Sequence, residues 1–225
     1  MPDASLPVVS VLGFAELEGP PDLATLSCTV HAKADSVEAV RSQLAAASQR
    51  ISGVLTEVAT ALHRSGTTGL HVAPVFERRR STRVDHVAGT LSTEVVVADL
   101  GQLASLVQTL TGIENAQLDG PWWSLRSDNP LHHEARLAAV ADARSRADDY
   151  AAAFGARVAG LLEVSDTGGG GGGGWPGHAQ DRALMGGPGG DEEPAFDFVP
   201  AVQTVSAQVT VRFTLTGVSL DPSRE

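Results

Sequence analysis

Apolar and polar residues alternate along residues 24–33. Ala24, Leu26, Cys28, Val30 and Ala32 take one set of positions, and Thr25, Ser27, Thr29, His31 and Lys33 the other. Successive side chains of a strand point to opposite faces, so this period of two predicts a strand with one face in a core and one in water. Residues 8–18 predict a strand before it. Gly13 interrupts that strand and marks a bulge or a close backbone approach. Gly19-Pro20-Pro21-Asp22 joins the two strands, and its prolines cannot donate to a ladder, so pairing breaks there. The expectation is that every later element covers or extends this sheet. Residues 201–216 carry the cleanest alternation. Val205, Ala207, Val209, Val211, Phe213 and Leu215 are predicted to face inward, while Thr204, Ser206, Gln208, Thr210, Arg212 and Thr214 face water.

Elsewhere the period lengthens. Val40, Leu44, Ala47, Ile51, Val54, Val58 and Leu62 recur at steps of three and four and predict a long amphipathic helix. Asp35, with Glu38 three residues on, gives it a capping-box-like start, and Gly66 and Gly69 close it. Residues 70–80 predict a strand in which Pro74 implies an edge or a bulge. Arg78-Arg79-Arg80-Ser81-Thr82-Arg83 follows as a basic turn, read as a solvated hairpin tip in preference to an anion contact. Residues 86–97 return as a strand. Asp99-Leu100-Gly101 opens a shorter helix with Leu100, Leu103, Leu106, Val107 and Leu110 on one stripe, and Gly112 stops it.

Residues 115–126 predict a further strand containing Pro121-Trp122-Trp123. Neighbouring strand residues face opposite ways, so both tryptophans cannot enter one core. One covers the core edge, and the other is packed under a loop or offered to a partner. Ser127-Asp128-Asn129-Pro130 starts a helix, with polar caps ahead of a proline at the first helical position. It runs to about Phe154, with Leu137, Val140, Ala143, Ala147, Tyr150, Ala151 and Phe154 as its expected buried face. A short strand, residues 157–165, comes next. Residues 167–195 contain seven consecutive glycines, Gly168 to Gly174, and are expected to be a flexible insertion, since polyglycine has much entropy to lose and little surface to bury.

The order of these elements resembles the SIMPL domain family, a domain of largely unknown function found in bacterial proteins. The resemblance rests on Ser10-Val11-Leu12-Gly13-Phe14-Ala15, Pro20-Pro21-Asp22-Leu23-Ala24-Thr25-Leu26 and the helix from Val37. It rests further on Asp99-Leu100, Glu134-Ala135-Arg136, the regularly spaced alanines and arginines of 138–147, and Ala207-Gln208-Val209-Thr210-Val211. It implies an α+β fold in which antiparallel sheets are covered by two long amphipathic helices and one shorter one. It also implies self-assembly into rings or cylinders, and it supplies no catalytic residues. The expected organisation is one domain over residues 8–218, interrupted at about 167–195, with short tails at 1–7 and 219–225. The chain departs from the common bacterial pattern in lacking an export signal at its start and in carrying the glycine-rich insertion.

Composition narrows the functional classes. The net charge of −11 opposes general nucleic-acid binding, which needs an excess of Lys and Arg. No apolar run approaches the roughly 20 residues of a membrane span, and no signal-type segment opens the sequence, so a soluble cytoplasmic protein is expected. Cys28 is the one cysteine, so no intrachain disulfide forms, and its place on an apolar strand face makes it a buried, inert thiol. Asp22, in its turn, is assigned to holding backbone donors. His132-His133-Glu134 has metal-ligand chemistry, but adjacent helical positions diverge, and a chelating pair needs a spacing of three or four. The glycine run lacks the Lys and helix start of a phosphate loop, and no Gly-x-Ser-x-Gly elbow is present. No catalytic residue, metal or cofactor is assigned. The leading expectation is a non-enzymatic homo-oligomer acting as a structural or interaction module, with a further protein partner as an option. The alternative is a small-ligand or peptide module with a groove between the 115–126 strand and the 127–154 helix. Trp122, Trp123 and Trp175 are the candidate contact residues for either.

Overall fold

The computed structural model describes residues 6–76, 84–166 and 196–219. The basic turn at 78–83, the glycine-rich segment with Trp175 and the last six residues lie outside the described residues. The strands are Val8–Gly19 (β1), Leu23–Ala34 (β2), Leu62–Phe76 (β3), Val84–Val97 (β4), Ala116–Ser124 (β5), Arg157–Ser165 (β6) and Gln203–Thr216 (β7). The helices are Val37–Glu57 (α1), Leu103–Thr111 (α2) and Pro130–Ala153 (α3). Two sheets result, a three-stranded one in the order β1-β7-β6 and a four-stranded one in the order β3-β4-β2-β5. This is an α+β architecture built on antiparallel sheets.

One expectation is corrected at once. β1 and β2 fall in different sheets, so no single sheet organises the whole chain. Pro20 and Pro21 offer no N–H groups between them, and the connection cannot close a hairpin ladder. Asp22 has the structural role expected of it, its Oδ1 accepting from the Arg126 N–H at 2.6 Å. The chain divides into two compact units.

The first unit holds β1, α3, β6 and β7. Asn129 caps α3 through its side-chain oxygen, which accepts from the Leu131 N–H, and Pro130 takes the first helical position as expected. The buried face agrees with expectation at Ala143, Ala147 and Ala151 and differs at the larger side chains. Ala135, Ala139, Ala143, Ala147 and Ala151 are buried, while Leu137, Val140, Tyr150 and Phe154 are exposed. Gly13 of β1 is the physical reason. A Cβ there would collide with the Ala139 carbonyl oxygen and sit 2.7 Å from the Ala143 Cβ. Helix and strand backbones approach so closely that only alanine fits between them, and the larger side chains are turned outward. The β7 alternation is as expected: Val205, Val209, Val211 and Leu215 are buried, Ala207 and Phe213 half-buried, and Arg212 and Gln208 exposed.

The second unit holds β2, α1, β3, β4, α2 and β5. Ala24, Leu26, Cys28, Val30 and Ala32 face the helices, opposite Val97, Val95, Thr93, Leu91 and Gly89 of β4. Val40, Leu44, Ala47, Ile51 and Leu55 of α1 close over them, with Leu103, Leu106, Val107 and Leu110 of α2 alongside. Phe198 packs on the same core. Asp99 caps the short 3-10 turn that leads into α2, and Gly112 ends α2. Two boundaries differ from expectation. Ser36 caps α1 in place of Asp35, because Ser36 holds the extended conformation from which its Oγ reaches the Ala39 N–H. The helix stops at Glu57, and Leu62, Gly66 and Gly69 belong to β3. His63-Arg64-Ser65-Gly66-Thr67-Thr68-Gly69 offers no apolar residue to continue the stripe, and its glycines and threonines disfavour a helix. Pro74 lies on β3, an outer strand, as its residue type requires. No described helix is long and apolar enough to cross a membrane.

Candidate functional site

Outer strands carry unpaired backbone groups that can accept a further strand. The outer strands of the three-stranded sheet are treated very differently. On β1 the Phe14 N–H donates to Asp142 Oδ2 of α3 at 2.9 Å, and Arg146 Nε holds the same oxygen at 2.8 Å. The Phe14 N–H first, and then Arg146, hold the Asp142 carboxyl below its usual range. β6 has no such cover among the described residues. Leu161 is 62 % exposed, Leu162 52 % and Val164 53 %. A register irregularity between Leu161 and Glu163 sets Leu162 outside the regular pairing. Glu163 and Arg212 pair across the strands at 2.9 Å, so the one acidic side chain of β6 is matched by its neighbour, and the strand's other charge, the exposed Arg157, stands at its start.

The tryptophan pair falls on opposite faces of the four-stranded sheet. Trp122 pairs with Thr25 and Trp123 with Ala24, whose side chain faces the helices, and Trp123 packs against the core. Both are half-buried. The choice between them is made by a bulge at Gly120-Pro121, where the register shifts between Thr25 and Ser27. Gly120 has φ +115°, and a Cβ there would lie 2.7 Å from the Thr25 carbonyl oxygen. Simple alternation from Leu118 would have put Trp122 on the core side. The third candidate, Trp175, lies outside the described residues.

Two clefts border α1. One of about 600 Å³ lies between Gln43, Ala46 and Arg50 of the helix, the end of β2, and Glu114 and Asn115 ahead of β5. The other, about 550 Å³, lies between Ser52, Leu55 and Thr56 of the helix and His63 to Thr67 of β3. Neither is lined by a tryptophan. The pattern of the sequence gives no sign of the first cleft, because it depends on where β5 begins relative to the end of β2.

The remaining candidate chemistry is dispersed. Cys28 is fully buried, and burial pushes its thiol up, which disfavours the reactive thiolate. His132 is half-buried, and His133 and Glu134 are exposed in the first turns of α3. Among the described residues no group of three or more His, Cys, Asp and Glu side chains is placed to hold a metal ion.

No curated protein matches the chain. The family model described as SIMPL, protein of unknown function (DUF541), matches residues 9–213, a span that takes in every element from β1 to the end of α3 and nearly all of β7. The chain therefore belongs to the SIMPL family.

Proposed function

We propose that the protein is a non-catalytic interaction module that associates with copies of itself through the β6 edge. The observation that carries this reading is the row Leu161, Leu162 and Val164, each more than half exposed, on an outer strand whose Glu163 is paired with Arg212 and whose other charge, Arg157, stands at its start, away from the row. Soluble proteins ordinarily blunt such an edge with charge, proline or a covering element. Two copies meeting β6 to β6 about a two-fold axis would extend the sheet and cover the row on both.

The magnitudes are adequate for a reversible contact. Three half-exposed aliphatic side chains per copy make six at the interface, and burying them supplies roughly 6–9 kcal/mol. Association costs about 4–15 kcal/mol. Edge-to-edge backbone hydrogen bonds, each worth about 0.5–1.5 kcal/mol net, move the balance toward binding. A weak, reversible association is expected, to be sought through the micromolar range.

Light scattering across a concentration series tests it. The wild-type mass should rise toward a multiple of the chain mass through the micromolar range, and the double variant Leu161→Lys, Val164→Lys should stay monomeric with an unchanged circular dichroism spectrum. A wild-type mass that stays at one chain throughout refutes the reading, as does a double variant that associates equally well.

A further inference from the structure

β3 is open along its edge and on both faces. It is an outer strand, so every second residue turns its N–H and C=O away from β4, and among the described residues no strand takes them. Every residue from His63 to His71 is exposed. Ser65-Gly66-Thr67-Thr68-Gly69-Leu70 carries no charge to guard the edge. Gly66 and Gly69 stand opposite Glu94 and Ser92 of β4, and so share the face turned away from the helices. Neither has a positive φ, and a Cβ at either would meet nothing within 4 Å. No turn and no packing among the described residues calls for glycine at these positions. What the two glycines leave is a flat, bare patch at a sheet edge, which an aromatic ring on a neighbouring strand covers well.

On the other face the cleft of about 550 Å³ separates β3 from α1. Ser48, Ser52 and Thr56, about one turn apart along α1, line one wall, and Ser65 and Thr67 line the other. Thr93 closes the floor on the core face of β4, opposite Thr67. It is the one buried polar residue among those described, 6 % exposed, and its hydroxyl has no hydrogen-bond partner among them. A buried hydroxyl without a partner is costly, and a ligand that pairs it recovers that loss. None of the described lining residues is a carboxylate. Arg64 stands opposite Val96, on the face away from the helices, where it is tied to Glu94 at 2.6 Å. The trough therefore suits a side chain that forms hydrogen bonds and carries no charge. Thr93 lies two strands in from the position of an added strand, about 10 Å away. A glutamine side chain spans that distance across Thr67, and the shorter asparagine does not.

We propose that β3 accepts an extended segment of a partner protein as a further strand, in which glutamine and aromatic side chains alternate. The glutamines enter the trough toward Thr93, and the rings cover Gly66 and Gly69 on the opposite face. A second copy of β3 does not supply this pattern, since it has no glutamine and no Phe, Tyr or Trp before Phe76. The site stands apart from the β6 edge and does not depend on self-association.

The probe is the fluorescein-labelled heptapeptide Lys-Tyr-Gln-Tyr-Gln-Tyr-Glu, and its anisotropy should rise saturably with the full chain. Thr93→Val removes the hydroxyl at nearly constant shape. It should weaken this probe about fivefold and leave unchanged the affinity of a probe with valine in place of both glutamines. Two further probes carry backbone N-methyl groups, one on the tyrosines and one on the glutamines. One should fail to bind and the other should bind as the parent does, because only alternate N–H groups of an added strand face β3. Gly66→Lys with Gly69→Lys places guard charges in open space and should abolish binding without lowering the thermal melt. Amide hydrogen exchange over residues 63–71 should slow when the probe is bound. The Leu161→Lys, Val164→Lys variant should bind as the wild type does, which separates failure here from failure of the self-association reading. Absence of saturable binding, an affinity for the glutamine probe untouched by Thr93→Val, equal behaviour of the two methylated probes, binding that survives the paired lysines, or unchanged exchange over 63–71 would each overturn the proposal.

Discussion

Replacing Gly13 by alanine adds one methyl group at the point where α3 rests on β1. That methyl would collide with the Ala139 carbonyl oxygen and lie 2.7 Å from the Ala143 Cβ and 2.8 Å from the Ala143 nitrogen. Carbon atoms prefer to sit about 3.5–4.0 Å apart, so the helix must retreat by about 1 Å. None of the obstructing atoms can rotate away, because they are backbone or Cβ atoms of a regular helix. Retreat loosens the contacts of the whole alanine stripe, and overpacking of this kind costs about 1–3 kcal/mol, with the upper end apt for a rigid neighbour. Gly→Ala also restricts the unfolded chain, which returns about 0.4–1 kcal/mol. The net loss is about 2 kcal/mol, a fall of roughly 8–16 °C in the melting transition of the unit that contains β1 and α3. Gly53→Ala is the matched control. Gly53 lies inside α1, is exposed, and has open space where a Cβ would go, so alanine there should stabilise by about 0.5–1 kcal/mol. Calorimetry of the two variants gives opposite signs if the packing is right. Gly13→Ala melting at or above the wild-type temperature would refute the close seating of α3 on β1.

Three further outcomes follow from the same geometry. Asp142 has a depressed folded-state pKa, so its contribution is present above the unfolded carboxylate value of about 3.9 and is lost as pH falls through the folded value. Asp142→Asn should therefore lose less of its urea midpoint on acidification than the wild type; parallel losses would contradict the assignment. Cys28 should react with a thiol reagent only as fast as the protein unfolds, and a stoichiometric reaction in the native state would show that it is accessible. Leu26, 1 % exposed at the centre of the four-stranded sheet, should cost about 2–5 kcal/mol on truncation to alanine, read from denaturant unfolding; a loss below 1 kcal/mol would place it outside the core.

The period of each segment reveals most of the elements, since burial acts on one residue at a time. β7 and α2 were legible to within a few residues, and Gly13 was legible as either a bulge or a close approach, of which the structure has the close approach. What a period cannot show is how close two backbones come. Leu137, Val140, Tyr150 and Phe154 look like a core face until Gly13 brings α3 so near that only the alanines fit. Nor can it show which strands become neighbours. The segment of β6 is visible as a strand, but its place at the edge of β1-β7-β6 is a tertiary fact. The cleft beside β2 is hidden for the same reason, arising from a difference of register between two partners of one strand. At Gly120-Pro121 one extra residue reverses the alternation and exchanges the roles of Trp122 and Trp123, which no counting from either end of the segment reveals.

The β6-to-β6 contact is tested most directly by a distance between copies. A nitroxide attached through Leu162→Cys keeps an apolar group at the middle of β6, and buried Cys28 stays unlabelled. Antiparallel pairing of two strands of nine residues, at a rise of about 3.3 Å per residue, confines the two labels to within about 35 Å of each other. Pulsed dipolar spectroscopy above the micromolar range should return a distance in that range, and the signal should vanish on addition of Leu161→Lys, Val164→Lys. Absence of any intermolecular distance, or one too long for strand pairing, would contradict the account.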